Sequence, residues 1–164
     1  DGDTIDIRLR LPNGADYIVL SKKKVKLADL NGSVSATTIL INVTEDQILT
    51  MSAAIVDAYK ISGSKLYATK YTDPGLQAVA TATYIPSNDT INLIDKDPNI
   101  VTTARNALIT RYNENYSTYR TGIQSTINSI ESSTQQSRVE SGTSSETATQ
   151  QSERKTYLDS LAGE

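Results

Sequence analysis

Residues 1–27 read DGDTIDIRLRLPNGADYIVLSKKKVKL, and their alternation decides the fold. Ile5, Ile7, Leu9 and Leu11 fall on one side of an extended chain, and Thr4, Asp6, Arg8 and Arg10 on the other. A period of two belongs to a strand with one face in a core and one in solvent. Pro12, Asn13 and Gly14 supply the reversal, because proline presets its own φ while Asn and Gly tolerate positive φ. Residues 17–27 return as a second strand, rich in Val, Ile and Tyr early and in lysine late. The expectation is an antiparallel hairpin whose apolar face nucleates the fold, with Ile7 and Leu9 buried and Gly14 at positive φ.

Working outward, residues 29–35 (DLNGSVS) are turn chemistry pivoting on Asn31-Gly32. Residues 36–43 (ATTILINV) form a third, β-branched strand. A helix follows. Thr44 is its N-cap and Gln47 completes a capping box, with Val43 and Ile48 spaced as a hydrophobic staple. Glu45 and Asp46 sit at the positive end of its dipole. Ile48, Met51, Ile55, Ala58 and Tyr59 make its apolar stripe, and Gly63 is placed to end it. Residues 64–71 read as a fourth strand, reached by a crossover onto the same sheet. Asp73-Pro74-Gly75 is a turn, residues 76–84 lean towards extended chain, and residues 90–95 form a short helix capped near Ser87 or Asn88.

Asp97 and Pro98 open the last long element, as cap and first helical residue. Ala104, Leu108, Tyr112, Tyr116, Tyr119, Ile123, Ile127 and Ile130 then recur in steps of four or three, one narrow stripe on one long helix. Arg105, Asn106, Asn113, Glu114 and Arg120 fall outside it, and Gly122 is a weak point. Three steps of four in succession from Ala104 drift from a strict heptad, which favours packing on the domain or fold-back over a regular coiled coil. Residues 132–152 are almost all Ser, Thr, Gln and Glu, too polar to order alone. Residues 153–161 carry Tyr157, Leu158 and Leu161 on one side of a short helix that can fold back across that polar stretch.

The resulting architecture is α+β. A small, mainly antiparallel sheet with a covering helix occupies residues 1–96. A long amphipathic helix over residues 97–131 and a Ser/Thr/Gln-rich tail over residues 132–164 make a C-terminal helical extension. With 164 residues, the chain suffices for one domain and an appendage. Phe and Trp are absent, so nine tyrosines carry the aromatic packing. Cys and His are absent too, which removes disulfides, thiolate chemistry and the commonest general base and transition-metal ligand. A formal charge of -3 and a pI near 5.0 argue against a nucleic-acid surface spread over the domain.

Asp1, Asp3 and Asp6 lack the spacing of a calcium loop, and Asp3 and Asp6 fall on opposite faces of a strand. Asp95, Asp97 and Glu114 make no acid/base pair, and no phosphate loop, GxSxG or HExxH occurs. No catalytic, cofactor-binding or metal residues are assigned, and no small-molecule substrate is implied. Lys22, Lys23, Lys24 and Lys26 form the only basic cluster. It reads first as an edge strand guarded against aggregation, and second as a surface for an anionic partner such as a lipid headgroup, wall polymer or acidic protein. The candidate partner-binding residues are these four lysines with Leu108, Tyr112, Tyr116, Tyr119, Ile123, Ile127 and Ile130.

The chain also resembles a known family. Gly2-Asp3-Thr4-Ile5-Asp6-Ile7 is similar to the GDxVDV opening of the extracytoplasmic part of the CpaB/RcpC family, assembly proteins of Flp (Tad) type IV pili. The variants of Gram-positive bacteria resemble Pro12-Asn13-Gly14 and the YIVLSKKKV of residues 17–25. The series continues through Val43-Thr44-Glu45-Asp46-Gln47, residues 65–71 and Asp73-Pro74-Gly75, covering most of residues 1–100. The family usually carries a membrane anchor and a SAF domain upstream, so the chain reads as a fragment. The resemblance implies a non-catalytic, membrane-anchored component of the bacterial cell envelope that contacts other pilus-assembly proteins or itself. Two other readings stand beside it: a surface or phage structural module, and a SAF-like domain associated with a sugar-acting enzyme.

Overall fold

The computed structural model describes residues 2–29 and 34–162. The hairpin forms as β1 (Thr4–Arg10) and β2 (Asp16–Asp29), antiparallel, with Leu9 opposite Tyr17 and Arg8 opposite Ile18. Ile5, Ile7, Leu9 and Leu11 are buried, and Gly14 turns the chain at φ 88°. The Asn13 side chain accepts from Ala15 N–H at 2.9 Å and pins the turn. β3 (Val34–Ile41) and β4 (Lys65–Lys70) complete a four-stranded antiparallel sheet of order β3-β2-β1-β4. The crossover through α1 (Glu45–Lys60) therefore joins the two outer strands. The turn at Asn31-Gly32 lies outside the described residues.

Two features of the hairpin differ from the alternation. Thr4 and Asp6, assigned to the solvent face, are buried. The β1–β2 register slips around Ile7, where Lys22 adopts a positive φ of 52°. A bulge leaves one backbone donor without a ladder partner, and the Asp6 carboxylate takes it, accepting from Lys22 N–H at 2.9 Å. A buried polar group is tolerated when bonded in this way. The second feature is that β2 lies between β3 and β1 in strand order, with its ladder to β1 running as far as Lys24 and its ladder to β3 beginning at Val25, so Lys22, Lys23 and Lys24 stand outside the β3 ladder.

In α1, Gln47 Oε1 accepts from Thr44 N–H at 3.2 Å, which closes the reciprocal half of the capping box. Met51 and Ala58 of the large-residue stripe pack, partly buried, against the main core, but the most buried positions lie beside that stripe. Thr50, Ala54 and Asp57 are buried, with Ile61 beyond them, while Ile48 is exposed. The steps of four, three and four are helical, but two of the four residues are polar. Thr50 Oγ1 donates to the Asp46 carbonyl at 2.8 Å, which removes the cost of burying it. The helix stops at Ile61, and Gly63 turns the chain beyond it at φ 83°, where a Cβ would meet the Pro12 ring at 3.3 Å.

Residues 76–84 form no regular element but run along β2. Thr83 and Tyr84 N–H both donate to the Ile18 carbonyl, at 3.0 and 2.9 Å, and Ala80 N–H donates to Ser21 Oγ at 2.9 Å. α2 (Asn88–Lys96) is capped by Ser87. Asp97 does not cap the long helix. Its carboxylate closes a turn on Asn99 N–H at 2.8 Å, which carries Ile100 into a small cluster with Ile94 and Leu108. The helix then starts as α3 (Thr102–Asn115), passes through a π-helical turn at Tyr116–Arg120 and continues as α4 (Thr121–Asn128). Gly122 is not the irregularity. It lies in α4, where a Cβ would stand 3.3 Å from the Tyr17 hydroxyl.

The polar tail is a 31-residue helix, α5 (Ser132–Ala162). Its docking is polar, which hydropathy does not reveal. Gln135 Nε2 donates to the carbonyls of Ile127 and Ile130 at 2.8 and 2.6 Å, capping the end of α4. Arg138 Nη1 donates to the Lys60 carbonyl at 3.1 Å, capping α1. Tyr59 lies against Gly142 and donates to Glu146 Oε2 at 2.8 Å. The fold-back onto α1 thus runs through residues 135–146, while Leu158 is exposed; the Leu161 side chain lies outside those described.

Candidate partner-docking site

The stripe on the long helix faces the chain's own domain. Ile123 and Ile127 are buried in the main core with Leu9, Val19, Leu20 and Ala54, and Leu108 is buried beside Ile94. Tyr112, Tyr116, Tyr119 and Ile130 are half-buried and are the part left open to a partner. The Tyr112 and Tyr116 rings lie 4.9 Å apart, tilted by 58°, and Tyr112 donates to Asn88 Oδ1 at 2.6 Å.

The π-helical turn decides what else the long helix presents. Thr121 N–H bonds five residues back to the Tyr116 carbonyl, which widens the turn and changes the phase of every later residue. Arg120, assigned to the outside by a straight 3.6-residue period, points inward and is 2% exposed. There it meets Asp57, itself 4% exposed. Arg120 Nη1 pairs with Asp57 Oδ2, the same oxygen accepts from Tyr84 O–H at 2.7 Å, and Arg120 Nη2 donates to Gln124 Oε1 at 3.0 Å. Arg120 Nε has no partner.

The electrostatics follow from this burial. Burial and the neighbouring Asp57 carboxylate push the Tyr84 hydroxyl well above its ordinary range. Burial opposes the Arg120 charge, but Asp57 outweighs it and holds the guanidinium above its usual value. A guanidinium that stays charged, paired to a carboxylate and a neutral phenol, ties α1, the Tyr84 segment and the long helix together.

Arg120 and Asp57 also line a cleft of about 550 Å³ between α1, the start of α2 and the long helix. Its lining mixes apolar Leu49, Val56, Leu93 and Tyr116 with polar Lys60, Gln124 and the Asn88 and Asp89 of the α2 start. Leu93 is 54% exposed there.

None of the four lysines lines this cleft. Lys22 Nζ donates to the Gln77 carbonyl at 3.0 Å and Lys23 Nζ to Gln47 Oε1 at 2.5 Å, so both serve the domain itself. Lys24 and Lys26 are exposed. Asp3 pairs with Lys70 at 2.9 Å. Among the described residues no cluster of three or more acidic side chains has the geometry to hold a metal, and no helix is long and apolar enough to cross a membrane.

Periodicity found the stripe but missed Asp57, Tyr84 and Arg120. The available signal was an aspartate at helical spacing from Ala54 and Ile61, and an arginine directly after Tyr119. Compared with protein-family models, with curated proteins and with solved structures, the chain matches none.

Proposed function

We propose that this chain is a non-catalytic structural component of Flp (Tad) type IV pilus assembly, acting on the extracytoplasmic side of a bacterial cell envelope and binding other assembly proteins. The observation that carries the reading is the second half of α5. Residues 147–160 continue the helix with nearly every side chain exposed. An isolated helix of this composition has little stability of its own, and bridging from one protein body to another is one role that keeps a helix polar on all sides. The cleft beside Leu93 and Tyr116 offers a second contact. The ordered motif series from Gly2 to Gly75 supports the choice of machine, and the absence of His and Cys agrees with a structural role.

The test is genetic and structural together. Deleting the gene should remove surface pili seen by electron microscopy while leaving pilin in the membrane. A protein cut after residue 146 should keep its thermal midpoint yet fail to restore pili. Normal piliation in the deletion strain would overturn the proposal.

A further inference from the structure

A second pocket, of about 280 Å³, is enclosed by the start of α1, by β2, by residues 79–82 and by α3. Among the described residues Asp46 and Arg111 are the only ionisable side chains that line it, and both are half-buried. They form no ion pair with each other, and no hydrogen bond reaches the Asp46 carboxylate or the Arg111 guanidinium. Burial lowers the Arg111 pKa from its ordinary value and the Asp46 charge opposes this, so the two groups feel each other without bonding. Arg111 Nε is wholly enclosed and has no partner. A guanidinium drawn out of water with no acceptor destabilises the fold unless something else supplies one. The other polar side chains of the pocket are engaged. Ser21 Oγ accepts from Ala80 N–H at 2.9 Å, Thr50 Oγ1 donates to the Asp46 carbonyl at 2.8 Å, and Gln47 Oε1 accepts from Lys23 Nζ.

We propose that this pocket binds a small zwitterion, an α-amino acid with an aliphatic side chain, whose carboxylate pairs with Arg111 and whose ammonium group pairs with Asp46. Charge selects the class. A simple anion would satisfy Arg111 but set a like charge beside Asp46, and a simple cation would do the reverse. A ligand that carries both charges answers both groups. The two Nη atoms of a guanidinium present parallel donors that match a carboxylate. With Nε enclosed, that end-on pair makes the contact. Half-burial strengthens each charge pair over its value in open solvent.

Size and lining select the ligand within the class. The pocket stands at the lower end of small-molecule sites, which begin near about 300 Å³. Ala80, Ala82, Ala104, Ala107 and Leu108 line it, offering contact to an aliphatic side chain and no partner to a polar one. A peptide carries its two terminal charges at opposite ends, so both reach one small pocket only when the chain is a single residue. The inference is independent of the pilus reading, and either can fail alone.

Heteronuclear NMR of the full chain, titrated with L-alanine and with L-valine, tests it. The Arg111 Nε–H signal and the amide signals of Ala104 and Ala107 should shift and saturate. N-acetylvaline lacks the ammonium charge and valinamide lacks the carboxylate, and each should bind at least about tenfold more weakly than L-valine. Arg111→Met and Asp46→Asn should keep the circular dichroism spectrum and each weaken L-valine by a similar factor. No saturable shift with either amino acid up to about 10 mM, where a site of millimolar affinity is nearly filled, overturns the proposal. Equal affinity for L-valine and its two singly charged derivatives overturns it too, as does unchanged affinity in either variant. Should a variant not fold, the comparison of the three ligands on the unaltered chain decides.

Discussion

At the scale of single residues, the Asp57, Tyr84 and Arg120 group is where the chain is most vulnerable. Removing one partner of a buried pair strands the other charge, so Asp57→Ala should lower the unfolding free energy by about 3–5 kcal/mol. Replacing both partners, Asp57→Leu with Arg120→Met, strands no charge and leaves only the buried Tyr84 hydroxyl without its acceptor, so it should recover part of that loss. Urea midpoints of the two variants check this, and equal losses would mean that the pair does not act as a unit. Tyr84 adds a pH dependence. Its hydroxyl titrates well above the ordinary value of 10.0 in the folded chain and near that value when unfolded. Above pH 10 the unfolded chain therefore holds fewer protons, and stability falls as pH rises through the alkaline range. Below pH 10 the contribution is fully present. Tyr84→Phe should flatten the alkaline decline by up to about 1.4 kcal/mol per pH unit, read from urea midpoints between pH 9 and 12.

At the scale of elements, α5 shows a dependence on one small residue. A Cβ at Gly142 would stand 2.6 to 2.8 Å from the Tyr59 ring. In an open helix Gly→Ala stabilises by about 1 kcal/mol, but overpacking a close contact costs about 1–3. The clash should win. Gly142→Ala should speed amide exchange over residues 135–146, and in a Tyr59→Ala background the same change should slow it. Equal effects in both backgrounds would show that α5 does not dock on Tyr59. The same element marks the boundary of what hydrophobic pattern can reveal. Ile5, Ile7, Leu9 and Leu11 announce β1 because apolar burial repeats with the strand, and Ser87 announces α2 because a cap is local chemistry. Gln135 and Arg138 bond the carbonyl ends of other helices, and no local pattern encodes which carbonyl will be near. Asp6 is hidden for a related reason: its partner is a bulge donor that exists only once Lys22 has taken positive φ. Arg120 was placed outside by counting 3.6 residues per turn through a segment that is wider than that.

At the scale of the whole molecule, the core does not respect the division of the chain into a strand-rich half and a helical half. Leu9, Val19 and Leu20 from the hairpin, Ala54 from α1 and Ile123 and Ile127 from α4 are members of one buried cluster. Tyr17 reaches α4 as well, at the bare backbone of Gly122. A fragment of residues 1–96 would remove Ile123 and Ile127 from the buried cluster they share with Leu9, Val19 and Leu20. It would also leave Asp57 buried beside Tyr84 without the Arg120 charge that balances it. Each loss is large against the roughly 5–15 kcal/mol by which a domain is stable. The fragment should therefore bind a hydrophobic dye and show no cooperative urea transition, the behaviour of a compact chain without fixed packing. A fragment of residues 1–131 keeps the cluster and the ion pair and loses only α5, so it should unfold cooperatively. Adding a peptide of residues 97–131 to the shorter fragment should restore the transition in a concentration-dependent way, because the binding partner then supplies Ile123, Ile127 and Arg120 from solution. Cooperative unfolding of residues 1–96 alone would separate the long helix from the core and reduce it to an appendage.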